Sequence, residues 1–236
     1  MEADDVTVFL GAGMPAELEA LEYALGRREG VSVLGWHPTA GGTVEKVAAE
    51  KPDVALVCAD FPDRDGITAC TEIKCYCTPT RVIVIGPSGD NSVLISAVKA
   101  GADGFVTVND SIDDLVDAVH EVSRGASHIP PMMLGGLLRG LIEFRREDDA
   151  AFERFASLGK REREVLVGIC AGLGDQAIAA RLHLSPHTAR THAQNILGKL
   201  GVHSRLEATR MVLEHDLFAR FGIEMAGLAE GRGGGT

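Results

Sequence analysis

An α/β N-terminal domain on a five-stranded, doubly wound parallel sheet, followed by a small all-α helix-turn-helix domain, is the fold class this 236-residue chain predicts. Three observations carry it. Short β-branched runs alternate with helical patterns as far as about residue 125. From residue 157 the pattern becomes wholly helical. Charge divides at the same place: residues 157–215 carry eight Lys and Arg against five Asp and Glu, and the remainder carries 15 against 29. Such asymmetry is a two-domain signal.

The β-branched runs fall at 6–10, 31–34, 54–58, 82–85 and 104–107. Helical patterns fill 16–28, 43–50, 67–75, 92–100 and 112–123 between and after them. Strands that are apolar throughout are buried on both faces, which requires a parallel sheet covered by helices. Right-handed crossovers then place the loops after the strands on one edge, where such folds keep their sites. The spacing Ser111-x-x-Asp114 reads as a helix cap, and Trp36 and His37 read as packing in a surface loop after the second strand. We expect a domain over 1–130, then a linker over 131–156 opening behind Pro130-Pro131. A linker helix is expected over 132–144, weakened by Gly135, Gly136 and Gly140, with a solvated charged stretch and the boundary at 145–149. A helical unit spans 157–216, and the Gly-rich tail 217–236 is expected to be disordered.

Within the helical unit, Val165, Leu166, Ile169 and Cys170 share a face of a helix over 160–171. Gly172-Leu173-Gly174 breaks it, and Asp175 reads as the cap of a short helix ending at Leu182. Ser185-Pro186 has the form of an N-cap followed by a first helical residue, opening a helix to about Leu200 that Gly201 stops. Ser204 opens a last helix over 205–215. Two helices across a short turn, the second rich in Arg, Thr, His, Gln and Asn, describe a helix-turn-helix.

Composition excludes several classes. A 45% apolar content rules out disorder throughout, and no apolar run approaches the ~18 residues of a membrane span. The acidic start Met1-Glu2-Ala3-Asp4-Asp5 is unlike a secretory signal, so a soluble cytoplasmic protein without membrane partners is expected. A net charge of −11 excludes a chain that coats nucleic acid over its whole surface, but not a local basic module. Five cysteines without paired spacing read as free thiols. No nucleophile–base pair and no metal-ligand constellation is present, so we expect no enzyme, cofactor or metal.

The stretch Lys51-Pro52-Asp53-Val54-Ala55-Leu56-Val57-Cys58-Ala59-Asp60-Phe61-Pro62-Asp63-Arg64-Asp65-Gly66 resembles the third strand and following loop of a response-regulator receiver domain. Ala100-Gly101-Ala102-Asp103-Gly104-Phe105 resembles its fifth strand, at the family's spacing. The resemblance implies five chemical positions. The two acids that hold Mg²⁺ fall at Ala12 and Gly13. The phosphate-accepting Asp falls at Cys58, the phosphate-contacting Ser or Thr at Gly86, and the sensing Lys at Val108. None of these groups binds Mg²⁺ or holds an aspartyl phosphate, so the receiver is expected to be degenerate and unphosphorylated.

The region admits three other readings. Asp60, Asp63 or Asp65 as acceptor would lack the metal's charge stabilisation. Gly11-Ala12-Gly13 lacks the third glycine of a dinucleotide loop. A thiol or metal sensor built on Cys58, Cys70, Cys75 and Cys77 has Cys58 as its best member, but Cys75-x-Cys77 lacks redox or zinc spacing.

In the helical unit Leu158-x-x-Arg161-Glu162, Ile178-Ala179, Leu184-Ser185, Thr188, His192, Asn195-Ile196-Leu197, Lys199-Leu200-Gly201-Val202 and Ser204-Arg205 resemble the LuxR-type DNA-binding domain. With the receiver before it, the chain resembles the NarL/FixJ class of response regulators. The resemblance implies that Arg190, Thr191 and Gln194 read bases, and that Thr188, Lys199, Ser204 and Arg205 touch phosphates. Ala189 stands where relatives usually carry Val, and Gln194 where a cation is frequent. Leu206, Met211, Val212 and Leu213 are expected to form a homodimer contact on a two-fold-symmetric, double-stranded operator. Control is expected through dimerisation, a heterodimer partner among other regulators, or a small ligand on the receiver. Arg outnumbers Lys by 17 to 6, and the architecture resembles orphan regulators of actinomycetes.

Overall fold

The computed structural model describes residues 5–223. Five strands, β1 (Val6–Gly11), β2 (Val31–His37), β3 (Val54–Cys58), β4 (Arg81–Gly86) and β5 (Gly104–Thr107), form one parallel sheet in the order β2-β1-β3-β4-β5. Helices α1 (Pro15–Leu25), α2 (Ala40–Glu50), α3 (Gly66–Tyr76), α4 (Asn91–Lys99) and α5 (Ile112–Ser123) cover both faces. Alternation along the strands decides which face each side chain meets. Val54, Leu56 and Cys58 of β3 join Leu18, Leu25, Leu115, Val119 and Val122 from α1 and α5. Ala55 and Val57, between them, join Val47, Ile73 and Leu94 from α2, α3 and α4. Because β3 lies at the centre, all five of its residues are buried.

Polar capping fixes the helix starts. Thr39, Asp65, Asp90 and Ser111 each accept a backbone N–H from the first turn of α2, α3, α4 and α5. Ser111 and Asp114 form the reciprocal capping box that their spacing predicts. Asp103, at the start of β5, accepts from Lys74 Nζ at 2.7 Å, Arg81 Nη1 at 3.0 Å and the Val82 amide at 2.8 Å, tying α3, β4 and β5 together.

One glycine sets the path of the loop after β3. A Cβ on Gly66 would lie 1.9 Å from the Cys58 carbonyl oxygen and 2.8 Å from that of Ala59. Both obstacles are backbone, so neither side can yield cheaply. Gly66→Ala is expected to destabilise the first domain by roughly 1–3 kcal/mol, read as a lower urea midpoint. An unchanged midpoint would mean that the loop relaxes freely.

The chain divides into two compact units, Met1–Leu141 and Ile142–Thr236. Helix α6 (Pro131–Ala156) starts in the first and ends in the second. It runs on through 145–149, where a solvated boundary stretch was expected. In the first unit its glycines serve packing: a Cβ on Gly136 would meet Asn91 at 2.3 Å, and one on Gly140 would meet Ile95 at 2.1 Å, both on α4. In the second unit Asp148 binds His215 Nδ1 at 2.9 Å and Arg220 Nη1 at 2.7 Å. Those bonds give the charged stretch a reason to stay helical.

Helices α7 (Lys160–Cys170), α8 (Asp175–Leu182), α9 (Pro186–Leu200), α10 (Arg205–Glu214) and α11 (Leu217–Arg220) complete the second unit around Phe155, Leu166, Ile178, Ile196 and Phe218. Several expectations are corrected. Trp36 and His37 belong to β2, whose pairing with β1 runs to Gly11↔His37; Trp36 Nε1 donates to Glu22 at 2.8 Å. Gly174, not Asp175, is the N-cap of α8, because Asp175 already has helical geometry there. Leu217 and Phe218 are buried in α11, so the ordered chain extends past 217; the rest of the expected disordered tail, 224–236, lies outside the described residues.

Candidate nucleic-acid interface

The turn between α8 and α9 is built locally. His183 takes a left-handed conformation (φ 54°), and the Leu184 amide donates back to the Ala179 carbonyl at 2.8 Å. Ser185 Oγ then accepts from the Thr188 amide at 3.0 Å, with Pro186 at the first helical position. Gly201 (φ 68°) ends α9, a conformation glycine adopts without strain.

Helix α9 is two-faced. Ala189, Ala193, Ile196 and Leu200 are buried, while Arg190, Thr191 and Gln194 are exposed. His187 and Asn195 are exposed on the same helix and were missed; their spacing from Thr191, four residues either way, was the available signal. The Thr191 hydroxyl donates to the His187 carbonyl at 3.0 Å.

The four expected phosphate contacts are not all free. Thr188 is half-buried, with its hydroxyl 2.7 Å from Ser185 Oγ. Ser204 caps α10 by accepting from the Glu207 amide at 3.1 Å. Arg205 is ion-paired with Asp175. Lys199 Nζ donates to Glu162 at 2.7 Å, and Glu162, buried in α7, also accepts from the Gly159 amide at 2.8 Å.

Glu162 carries a pH consequence. Burial works to raise its pKa, but Lys199 and the Gly159 amide outweigh it and hold the carboxyl below its ordinary 4.5. A carboxyl depressed in the folded state contributes stability above its unfolded pKa, and loses that contribution as pH falls through the folded value. The second unit should therefore lose stability on acidification below about pH 4.5, and Glu162→Gln should flatten that part of the melting curve. Parallel curves for the two proteins would contradict the assignment.

The expected dimer residues divide. Leu206 and Leu213 are 79% and 66% exposed and lie seven residues apart on α10. Met211 is half-buried against the core. Val212 is corrected: at 1% exposure it belongs to the core, because the face between Ala208 and Val212 turns inward.

At the carboxyl edge of the sheet in the first unit, four of the five positions that the resemblance singles out lie together. Gly13, Cys58, Gly86 and Val108 line a cavity of about 290 Å³, and Ala12 is 1% exposed behind it. A Cβ on Gly13 would stand 3.0 Å from Pro62 Cδ and 3.4 Å from the Asp60 carbonyl, so the loop after β3 occupies the ground before it. A Cβ on Gly86 would meet the Phe105 ring at 2.6 Å.

Two of the three candidate acceptor aspartates have structural work. Asp63 accepts from the Ala40 and Gly41 amides at 2.9 and 3.1 Å, and the first of these bonds leads in holding its carboxyl below the usual range. Asp65 caps α3, and Asp60 is exposed at the cavity. Gly11 is required by Thr43, which a Cβ would meet at 2.6 Å, an explanation independent of any nucleotide. Burial, reinforced by Glu17 beside it, pushes the Cys58 thiol up to about 12. Burial likewise pushes Cys70 up to about 12 and raises Cys77, while Cys75 is exposed. Among the described residues no group of three or more His, Cys, Asp or Glu is placed to hold a metal, and no helix is long and apolar enough to cross a membrane.

Known proteins extend this picture. Residues 14–120 match the response regulator receiver domain, and residues 156–212 match the bacterial regulatory proteins of the luxR family. The chain is 32% identical over 216 residues to the probable transcriptional regulatory protein NarL of Mycobacterium tuberculosis, covering 92% of this chain and 97% of that one. It is 30% identical over 193 residues to the response regulator protein VraR of Staphylococcus aureus, covering 82% and 89%. Among solved structures, the response regulator RcsB in its DNA complex matches with a TM-score of 0.52 at 20% identity, covering 90% of this chain and 99% of that one. That likeness concerns the fold. The chain belongs to the NarL/LuxR family of response regulators, DNA-binding transcriptional regulators and not enzymes, with a receiver domain ahead of a luxR-type helix-turn-helix.

Proposed function

We propose that this regulator binds its operator without aspartyl phosphorylation. One observation carries the reading: the positions that the resemblance assigns to Mg²⁺ and phosphate hold Ala12, Gly13, Cys58, Gly86 and Val108, and the last four of these line one cavity. A phosphoryl group arriving there meets neither a carboxylate acceptor nor a metal to neutralise its charge.

DNA is read by α9 in the major groove. Arg190 grips guanine through its two-pronged guanidinium, Gln194 suits adenine, and the Thr191 methyl suits thymine. Thr188 and Ser204 set register on phosphates. Lys199 and Arg205 do so with charges already shared with Glu162 and Asp175, which lowers nonspecific affinity and its salt dependence. Leu206 and Leu213 on α10 supply a self-complementary apolar strip for a homodimer on a two-fold-symmetric operator. Such work takes place in the cytoplasm, with no membrane partner.

Burial of Cys58 counts against the thiol-sensor alternative, since the thiolate is the reactive form and this thiol stays protonated at neutral pH. No observation favours an obligate heterodimer. The test is selection of genomic fragments by the purified, unphosphorylated protein under reducing conditions. Recovery of one two-fold-symmetric site is expected. Recovery only after treatment with a phosphoryl donor would overturn the proposal.

A further inference from the structure

The cavity at the five replaced positions is not isolated. A second cavity of about 140 Å³ adjoins it and shares Glu17, Ile85 and Val108 with it. Together they reach the lower size range of small-molecule sites. Their floor and lip are apolar: Leu21, Ile85 and Leu115 lie inside, while Met14 and Val108 stand 64% and 62% exposed at the mouth. Exposed apolar side chains around a concave site are the ordinary mark of a ligand pocket rather than of open surface.

The charge of this pocket is one-sided. Its lining contains Glu17, Asp60 and Asp110 and no Lys, Arg or His. Asp110 is already engaged, accepting from the Thr107 amide at 2.7 Å and the Thr107 hydroxyl at 2.9 Å. Glu17 has only the Cys58 thiol, 3.7 Å away, among its side-chain hydrogen bonds in the described residues. Glu17 and Asp60 both line the larger cavity, together with Cys58. An anion entering here finds no positive group, whereas a cation finds two carboxylates beside an apolar wall. The pocket lining thus offers no cation to receive a phosphate.

From this geometry we infer that the cavity binds a small amphipathic organic cation, an amine on an aliphatic or aromatic body. Its ammonium group sits against Glu17 and Asp60, and its apolar body lies along Ile85, Val108 and Met14. The inference rests on the reading that the receiver takes no phosphoryl group, and it adds a chemical class of effector to that reading.

Calorimetry on the full chain with tryptamine, and with indole-3-propionate as a carboxylate of the same body, tests it. Tryptamine should bind and indole-3-propionate should not. Glu17→Gln, a substitution of equal size on a half-exposed position, should weaken tryptamine about tenfold or more. Val108→Lys, at an exposed position, should abolish tryptamine binding and admit the carboxylate. Equal binding of both probes, unchanged affinity in Glu17→Gln, or no binding of tryptamine or octylamine up to about 1 mM, the limit of a roughly 4 kcal/mol interaction, would overturn the inference. Beryllofluoride with Mg²⁺ forms a separate arm. Its binding would refute the phosphorylation-independent reading itself, while its failure together with failure of the amines would refute only the effector class.

Discussion

Replacing Phe155 with alanine is expected to destabilise the DNA-binding unit by about 3–5 kcal/mol, the range for losing a fully buried aromatic ring. Phe155 is 0% exposed at the end of α6. Its ring lies 6.0 Å from that of Phe218 and 4.7 Å from that of Phe221, and the Arg163 guanidinium stands 5.6 Å from its centroid. Two segments, α7 and the end of the chain around α11, therefore pack on this one side chain of α6. The single tryptophan, Trp36, lies in β2 and reports on the other unit. Urea unfolding followed by far-ultraviolet dichroism should show a helical transition at lower urea, while the Trp36 fluorescence transition stays in place. Coincident shifts of both signals would show that the two units unfold together, and no shift would show that the aromatic cluster adds little.

The second large effect concerns DNA. Arg190→Ala should cost about 1–3 kcal/mol for each half-site it reads, or roughly five- to 150-fold in affinity per contact. Arg190 is exposed on α9, with no hydrogen bond or ion pair of its side chain among the described residues, so its truncation is expected to leave the fold untouched. The loss should fall on the selected site and leave nonspecific binding and its salt slope nearly unchanged, because base contacts specify and phosphate contacts position. Fluorescence anisotropy on the selected site and on a scrambled duplex separates these outcomes. An equal loss on both duplexes would reassign Arg190 to the phosphate backbone.

Much of the first unit was legible in the sequence because its signals are local. The apolar run 54–58 matches β3 residue for residue, since a strand buried on both faces has no polar position to blur its ends. The Ser111 capping box and the Ser185-Pro186 helix start depend on residues three apart, and both formed. What stayed hidden depends on partners far along the chain. Lys199 and Arg205 read as free cations, but Glu162 and Asp175 lie 37 and 30 positions away. Gly136 and Gly140 read as helix weakeners, but Asn91 and Ile95 need their missing side chains. Val212 read as a dimer contact because apolar character alone does not say which face of α10 turns inward. The candidate DNA face was visible in outline through Arg190, Thr191 and Gln194; His187 and Asn195 are exposed on the same helix, which only the fold of α9 against its core displays.

The proposed function rests on replacement: on that reading the positions of the Mg²⁺ ligands, acceptor, hydroxyl and lysine hold Ala12, Gly13, Cys58, Gly86 and Val108, so DNA binding is expected not to depend on a phosphoryl group.

The most direct measurement is the affinity of the full chain for its selected operator, by anisotropy, with and without Mg²⁺ and beryllofluoride. Equal affinities, with tight binding in the untreated protein, are what the account predicts. Binding that strengthens tenfold or more on adding beryllofluoride would contradict it.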